Sequence, residues 1–214
     1  MPSLTRRRAL HGVVALLAGV AGCAGEQSAG SSYPPESIEN VDLDPDSYSL
    51  RHAERTPVVW SGEQPTPVTE TEAETRWHLR HHLLVADASD AADISFADIE
   101  RAGDARAFLD ATDYDAATVY VEQTPVEECF ENELCHVRWS ETEVTTSYAR
   151  RYRDADVACE TGAEDVVATL IRIPATLDPS EVSGYGSSRG SASCARRNER
   201  IRRQRQARNG SDRR

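Results

Sequence analysis

Asp165 to Pro174 reads DVVATLIRIP, the most apolar of the strand candidates in this 214-residue chain. Val167, Thr169 and Ile171 oppose Val166, Leu170 and Arg172, an imperfect period of two that still reads as strand. Upstream, Ala117 to Gln123 alternates Val119 and Val121 against Tyr120 and Glu122. Leu134 to Ser140 and Val144 to Tyr152 alternate likewise, with polar turns between. Short strands at this spacing predict a mainly β fold, α+β at most: a small disulfide-bonded antiparallel sandwich or open barrel. One short helix is expected over Asp104 to Ala111 (DARAFLDA), with Gly103 before an Asp104 cap and Ala107, Phe108 and Ala111 on one flank. Arg76 to Ala86 (RWHLRHHLLVA) reads as a strand with Trp77, Leu79, Leu83 and Val85 on one face and His81 between them. A helix with Trp77 and Leu84 on one side is the alternative. Val58-Val59-Trp60 reads as an edge strand at most.

The start of the chain is of another kind. Thr5-Arg6-Arg7-Arg8-Ala9-Leu10 leads into an apolar run from Gly12 to Val20, which ends Val20-Ala21-Gly22-Cys23. A charged n-region, an h-region and small residues before a cleavage point are the anatomy of an export signal. The stretch is too short and too rich in Gly and Ala for a transmembrane helix. Cysteine directly after small residues resembles a lipobox, which implies that the Cys23 thiol is alkylated by lipid and becomes the mature terminus. Arg6 and Arg7, with Leu10, resemble a twin-arginine signal, with Ala9 in place of the usual Phe and His11 in place of the usual Lys. The expected organisation is a signal peptide over 1–22, a lipidated flexible tether over 23–68, a mainly β domain over 69–188 and an arginine-rich tail over 189–214. The tether follows from its Gly, Ser, Pro and acidic composition.

All 24 basic residues are arginine, set against 36 acids, for a formal net charge of −12. Residues 189–214 hold ten arginines against Glu199 and Asp212, so the rest of the mature chain is strongly acidic. Acid excess together with absent lysine resembles the proteins of salt-loving archaea, whose carboxylate-rich surfaces stay hydrated where salt screens charge.

The five cysteines are Cys23, Cys129, Cys135, Cys159 and Cys194. Lipidation of Cys23 leaves four, and in an oxidising compartment these form two disulfides. Four cysteines permit three pairings. The preferred one is Cys129 with Cys159 and Cys135 with Cys194, because alternation places Cys135, Val137 and Trp139 on one core face while Cys129 and Cys159 flank that strand and the next. Each bridge adds about 2–4 kcal/mol. A zinc site from Cys129, Cys135, His136, Cys159 and Cys194 is the rival, but the five-residue spacing between the first two lacks the tight knuckle of structural zinc. No metal and no cofactor are expected.

Gly186-Ser187-Ser188-Arg189-Gly190 formally matches the hydrolase nucleophile elbow, which needs a strand before it and a helix after it. Here Ser188 lies in a Gly/Ser stretch that reads as a loop, so a chance match is favoured. His78 and His82 are roughly 13 Å apart on a strand, too far to share an ion, and align only on a helix. The tail from Arg196 to Arg208 has the charge to bind nucleic acid, but export argues against that partner. Anionic headgroups, an acidic wall layer or the protein's own acidic face remain as contacts. In molar salt only close ones survive, because the Debye length falls to about 3 Å. Asn209-Gly210-Ser211 is a formal glycosylation sequon.

The segment Phe108 to Asp115, then Thr118-Val119-Tyr120-Val121, and later Ala168 to Pro174, resembles a family of small haloarchaeal lipoproteins of unknown function. The same segments are faintly similar to the β-rich domain of a bacterial protease-stabilising lipoprotein. The resemblance covers residues 100 to 175 and implies a β fold with a cysteine bridge and no activity. The expected function is a non-catalytic binding or envelope component on the external face of the cell membrane, anchored through Cys23, that meets a surface protein or glycan. The alternative is a small metal-dependent or hydrolytic enzyme using His78, His82, His136 or Ser188.

Overall fold

DVVATLIRIP alternates poorly because the strand it forms is covered on both faces, so neither set of side chains needs to be polar. The structure is a computed structural model that describes residues 40–54, 56–64 and 81–211, with side chains to residue 207. The expected signal peptide with Arg6 and Arg7, the lipidation site Cys23, the stretch 76–80 with His78, and the Asn209 side chain lie outside that description.

In chain order the described strands are β1 (Val41–Asp42), β2 (Ser47–His52), β3 (Val59–Ser61), β4 (His81–Val85), β5 (Ile94–Phe96), β6 (Thr118–Glu127), β7 (Phe130–Trp139), β8 (Glu143–Tyr152), β9 (Glu164–Ile173) and β10 (Gly184–Gly190). The helices are α1 (Ala88–Asp93), α2 (Ala102–Asp110) and α3 (Cys194–Ser211). One four-stranded sheet has the order β1-β7-β8-β10 and the other β2-β9-β6-β4, with β3 and β5 forming a separate ribbon. All pairings are antiparallel except β10, which runs parallel to β8.

The fold is mainly β, as the alternation predicts, and β9 and β6 are the middle strands of its second sheet. Val119, Val121, Val166, Ala168, Leu170 and Leu50 turn one face of that sheet toward Ala105 and Leu109 of α2 and toward Val58, Val59 and Ile94. Tyr120, Ile171 and Ile173 turn the other face toward Val137 and Val144 of the first sheet. Each such aliphatic side chain contributes about 1.5–3 kcal/mol on burial. The result is three layers: first sheet, second sheet, then α2 with the β3–β5 ribbon.

Several expectations are corrected. The segment assigned to a flexible tether supplies β1, β2 and β3; its apolar residues are few but periodic, and Leu50 is fully buried. The Gly/Ser loop is β10, and the arginine-rich tail forms α3, so the fold has three helices among the described residues instead of one short one. Helix α2 starts two residues before the expected cap. Its N-cap is Arg101, at a left-handed φ of 69°, with no side-chain cap bond. Asp104 instead accepts a hydrogen bond from the Tyr48 hydroxyl at 2.9 Å. Ala105 and Leu109 are the buried pair of that helix, while Ala107 is exposed.

Cys135 does not share a face with Val137 and Trp139. The register slips between Leu134 and His136, making Cys135 the extra residue of a β-bulge. Its sulfur joins Cys194 at the start of α3, on the outer side of the first sheet, at an S–S distance of 2.03 Å. Cys129 joins Cys159 at 2.06 Å. That second bridge clasps two connections that cross between the sheets, β6 to β7 and β8 to β9. The Glu128 amide donates to Ala163 O at 2.8 Å and the Arg153 amide to Cys129 O at 3.1 Å beside it.

Converting either cysteine pair to alanine is expected to lower the unfolding free energy by about 2–4 kcal/mol in urea titrations. The sequence separations are 59 for Cys135–Cys194 and 30 for Cys129–Cys159. Loop-closure entropy makes loss of the longer bridge the costlier by about 0.6 kcal/mol.

Candidate functional site

The space between the sheets is apolar at one end and polar at the other. Strand β6 sends Tyr120 and Glu122 into it, β8 sends Thr146 and Tyr148, and β10 sends Tyr185, Ser187 and Arg189. Glu122 is only 2% exposed. One carboxylate oxygen accepts from Thr146 Oγ1 at 2.6 Å and from the Tyr148 hydroxyl at 2.9 Å. The other accepts from Arg189 Nη2 at 2.5 Å. A buried carboxylate needs such partners, since an uncompensated one costs several kcal/mol.

Arg189 lines two cavities, the smaller of which also takes in Glu122. The smaller, about 300 Å³, holds His82, Gln123, Thr124 and Tyr185 around Glu122. His82 stacks on Tyr185 with ring centroids 5.0 Å apart, and its Nδ1 is 2.6 Å from the Tyr120 hydroxyl. Burial, then the nearby Glu122, raises the Tyr120 pKa, so the phenol stays protonated in its hydrogen bond with Nδ1. Tyr148 is raised well above its usual value by the same causes. Gln123 faces the opposite way in function: its Oε1 accepts from the Val58 and Val59 amides at 2.6 and 3.0 Å, tying β3 to the second sheet. Its buried Nε2 has no hydrogen-bond partner among the described residues.

The larger cavity, about 540 Å³, opens at the clasped end of the sandwich. Phe130 and Tyr152 form its aromatic wall with ring centroids 4.4 Å apart, and Tyr152 is 76% exposed. The Arg150 guanidinium lies 3.5 Å over the Phe130 ring and pairs with Glu127 at 2.8 Å. An exposed aromatic platform beside a positioned Arg, a carboxylate and Asn132 suits a polar ligand with an apolar face. Glu122, in the neighbouring cavity, accepts from three protein donors among the described residues.

Of the residues considered for catalysis, the described ones, His82, His136 and Ser188, are not brought together as a catalytic unit. His82 lies in the inter-sheet cleft. His136 and Ser188 lie on the other side of the first sheet, where they line a third cavity of about 440 Å³ under α3. They share a cavity, yet Ser188 Oγ donates to Ser147 Oγ at 3.1 Å and toward Thr146 O at 3.4 Å. Ser188 also sits within the straight strand β10, in register with Ser147, and not on a strained turn into a helix. The nucleophile elbow is therefore not formed. Among the described residues, no group of three His, Cys, Asp or Glu is placed to hold a metal ion. The four candidate zinc cysteines are consumed by the two disulfides.

Tyr185, Arg189 and Glu122 were missed in the sequence. The signal for the first two is the period-two pattern of Gly184, Gly186 and Gly190 against Tyr185 and Arg189. Gly186 is required because a Cβ there would meet Thr145 Cγ2 at 2.9 Å. No protein-family model, no curated protein and no solved structure matches the chain. Fold and cleft together define the class: a disulfide-bonded β-sandwich domain with an inter-sheet cleft.

Glu122→Gln is expected to cost about 3 kcal/mol in denaturant unfolding, because it leaves Arg189 facing a neutral amide in a largely dry space. A pH effect follows from His136, whose pKa is lowered by burial and, secondarily, by Arg138 and Arg197, against a raising bond to Asn198. The folded protein therefore binds the proton less readily than the unfolded chain. Its stabilising contribution is complete above the usual histidine value of about 6.5 and is lost progressively as the pH falls below it. Unfolding titrations across that window should show stability declining toward acid, with a shallower slope in His136→Gln.

Proposed function

We propose that this chain is an exported lipoprotein, held on the external face of the cell membrane through Cys23, whose β domain binds a surface protein or glycan without catalysing a reaction. The observation that carries this reading is the cysteine balance. Four of the five cysteines are spent in two disulfides, which belong to an oxidising compartment. Cys23 is the odd one, and it follows an arginine-led apolar segment with small residues before it. Among the described residues no helix is long and apolar enough to cross a membrane, so in this proposal the lipid provides attachment.

The binding half of the proposal draws on the larger cleft. Its exposed Tyr152, backed by Phe130 and Arg150, offers a ligand an aromatic face and fixed polar groups, while Glu127, Arg150, Arg151 and Arg189 are engaged in ion pairs. Export by the twin-arginine route, through Arg6 and Arg7, belongs to the same proposal, as does a salt-loving archaeal origin.

Intact mass tests the anchor. Protein extracted from membranes should carry a lipid adduct at Cys23 and weigh four hydrogens less than its reduced form, matching two disulfides. Four thiols alkylated before reduction would sink the proposal. In cells, Arg6→Lys/Arg7→Lys should abolish export, and Cys23→Ser should release the protein to the medium. The released form should rebind isolated envelopes, and Tyr152→Ala should weaken that rebinding about tenfold, the usual effect of losing an aromatic anchor.

A further inference from the structure

On the outer side of the first sheet, α3 is fastened at three points. Cys194 is bridged to Cys135. Asn198 Nδ2 donates to Leu43 O and Cys135 O, both at 2.9 Å. Arg205 Nη2 donates to Val41 O at 3.3 Å. Between this helix and strands β7, β8 and β10 lies the cavity of about 440 Å³, and its charge is unlike the rest of the molecule. Arg138, Arg196, Arg197 and Arg200 line it, with no Asp or Glu among the lining residues.

That is unexpected in a chain with 36 acids and 24 arginines. Elsewhere Arg51, Arg150, Arg151, Arg172, Arg189 and Arg203 each pair with a carboxylate. Arg196, Arg197 and Arg200 have no carboxylate partner among the described residues, although Glu199 lies on the same helix and is taken by Arg203 at 2.5 Å. Gathering Arg196, Arg197 and Arg200 without a carboxylate among the described residues raises the energy of the fold, and a bound anion lowers that cost.

The cavity is also built and not merely charged. Arg197 is half-buried and fixed, its Nε donating to Ala192 O and its Nη1 to Ser147 Oγ, both at 3.0 Å. Gly190 makes room for it, since a Cβ there would lie 2.7 Å from Arg197 Nη2. On the floor Ser147 Oγ accepts from Arg197 and from Ser188, which leaves its own proton to donate into the cavity. His136 is oriented by Asn198: because the amide nitrogen of Asn198 serves two carbonyls, its Oδ1 accepts from His136 Nδ1 at 2.9 Å, which assigns the proton to Nδ1.

We infer that this cavity binds the phosphoryl group of a phosphate ester, with the α3 arginines as the charged clamp and Ser147 as the hydroxyl donor. Planar guanidinium forks match the oxygens of a phosphoryl group in pairs, which favours this chemistry over a spherical halide. The volume exceeds that of inorganic phosphate, leaving room for what the phosphate is esterified to. The source is either a small phosphorylated solute or the phosphodiester headgroup of a lipid. The site is independent of the inter-sheet cleft and of the anchor at Cys23.

The test is calorimetric titration of the full chain in detergent, at constant ionic strength in sodium chloride, with two probes: inorganic phosphate and glycerophosphoglycerol, an acyl-free headgroup. Saturable binding of phosphate alone assigns a phosphorylated solute, and binding of the diester assigns a lipid headgroup; either supports the inference. Arg196→Gln/Arg200→Gln, at two exposed positions, should weaken that binding about tenfold or more without lowering the thermal unfolding midpoint, since the change relieves like-charge repulsion. Gln204→Glu, which puts a carboxylate into the same cavity and removes no arginine, should weaken it as much. No binding of either probe above the chloride background, or binding that survives both variants, overturns the inference.

Discussion

The buried carboxylate of Glu122 is the constraint on which the sandwich turns. A charge withdrawn from water must find its partners inside the fold, and those of Glu122 come from the facing sheet: Thr146 and Tyr148 on β8, Arg189 on β10. Apolar contacts among Tyr120, Val137, Ile171 and Ile173 bring the sheets together without dictating one alignment. The carboxylate supplies direction. It selects the register in which a guanidinium from β10 reaches β6, and so holds a glycine-rich strand with little apolar surface of its own at the edge of the first sheet. Arg189 of that ion pair lines both inter-sheet cavities, so the element that aligns the sheets also shapes the cleft.

The two faces of the first sheet have separate tasks, and the bulge at Cys135 is what separates them. In a regular strand Cys135 would share the inner face with Val137. The extra residue turns Cys135 and His136 both outward, where Cys194 and Asn198 of α3 meet them. Helix α3 has almost no apolar surface, its buried contact being Ile201 and Asn198. Propensity and hydrophobic burial do not account for its docking. A covalent bond and an amide triad do.

How much of this was legible depends on what each residue had to be near. The mainly β class followed from local periodicity, because β6 to β9 carry their own alternating pattern. The double burial of β9 was legible too, once its mixed alternation is taken as two apolar faces. Strands β1 and β2 were missed because two- and six-residue segments within polar sequence become strands only by pairing with β7 and β9. Strand β10 was missed for the reason that makes it work: its glycines fit against Thr145 and Arg197, a tertiary demand that reads locally as a flexible loop. The cleft was least legible. Glu122 looked like the polar half of an alternating strand, and Arg189 like part of a loop, and only the packing of one sheet on the other makes them partners.

The Cys135–Cys194 bridge also bears on how the protein survives proteolysis. The connection between β8 and β9 holds the longest exposed run among the described residues, from Asp154 to Gly162. Such a segment is where proteases cut first. Any cut from residue 136 to residue 193 falls inside the covalent ring that this bridge closes, and cuts in the first half of the exposed run fall inside the Cys129–Cys159 ring as well. A nicked molecule therefore keeps its two pieces joined, with both sheets still paired and the cleft still assembled. It loses integrity only when the bridges are reduced.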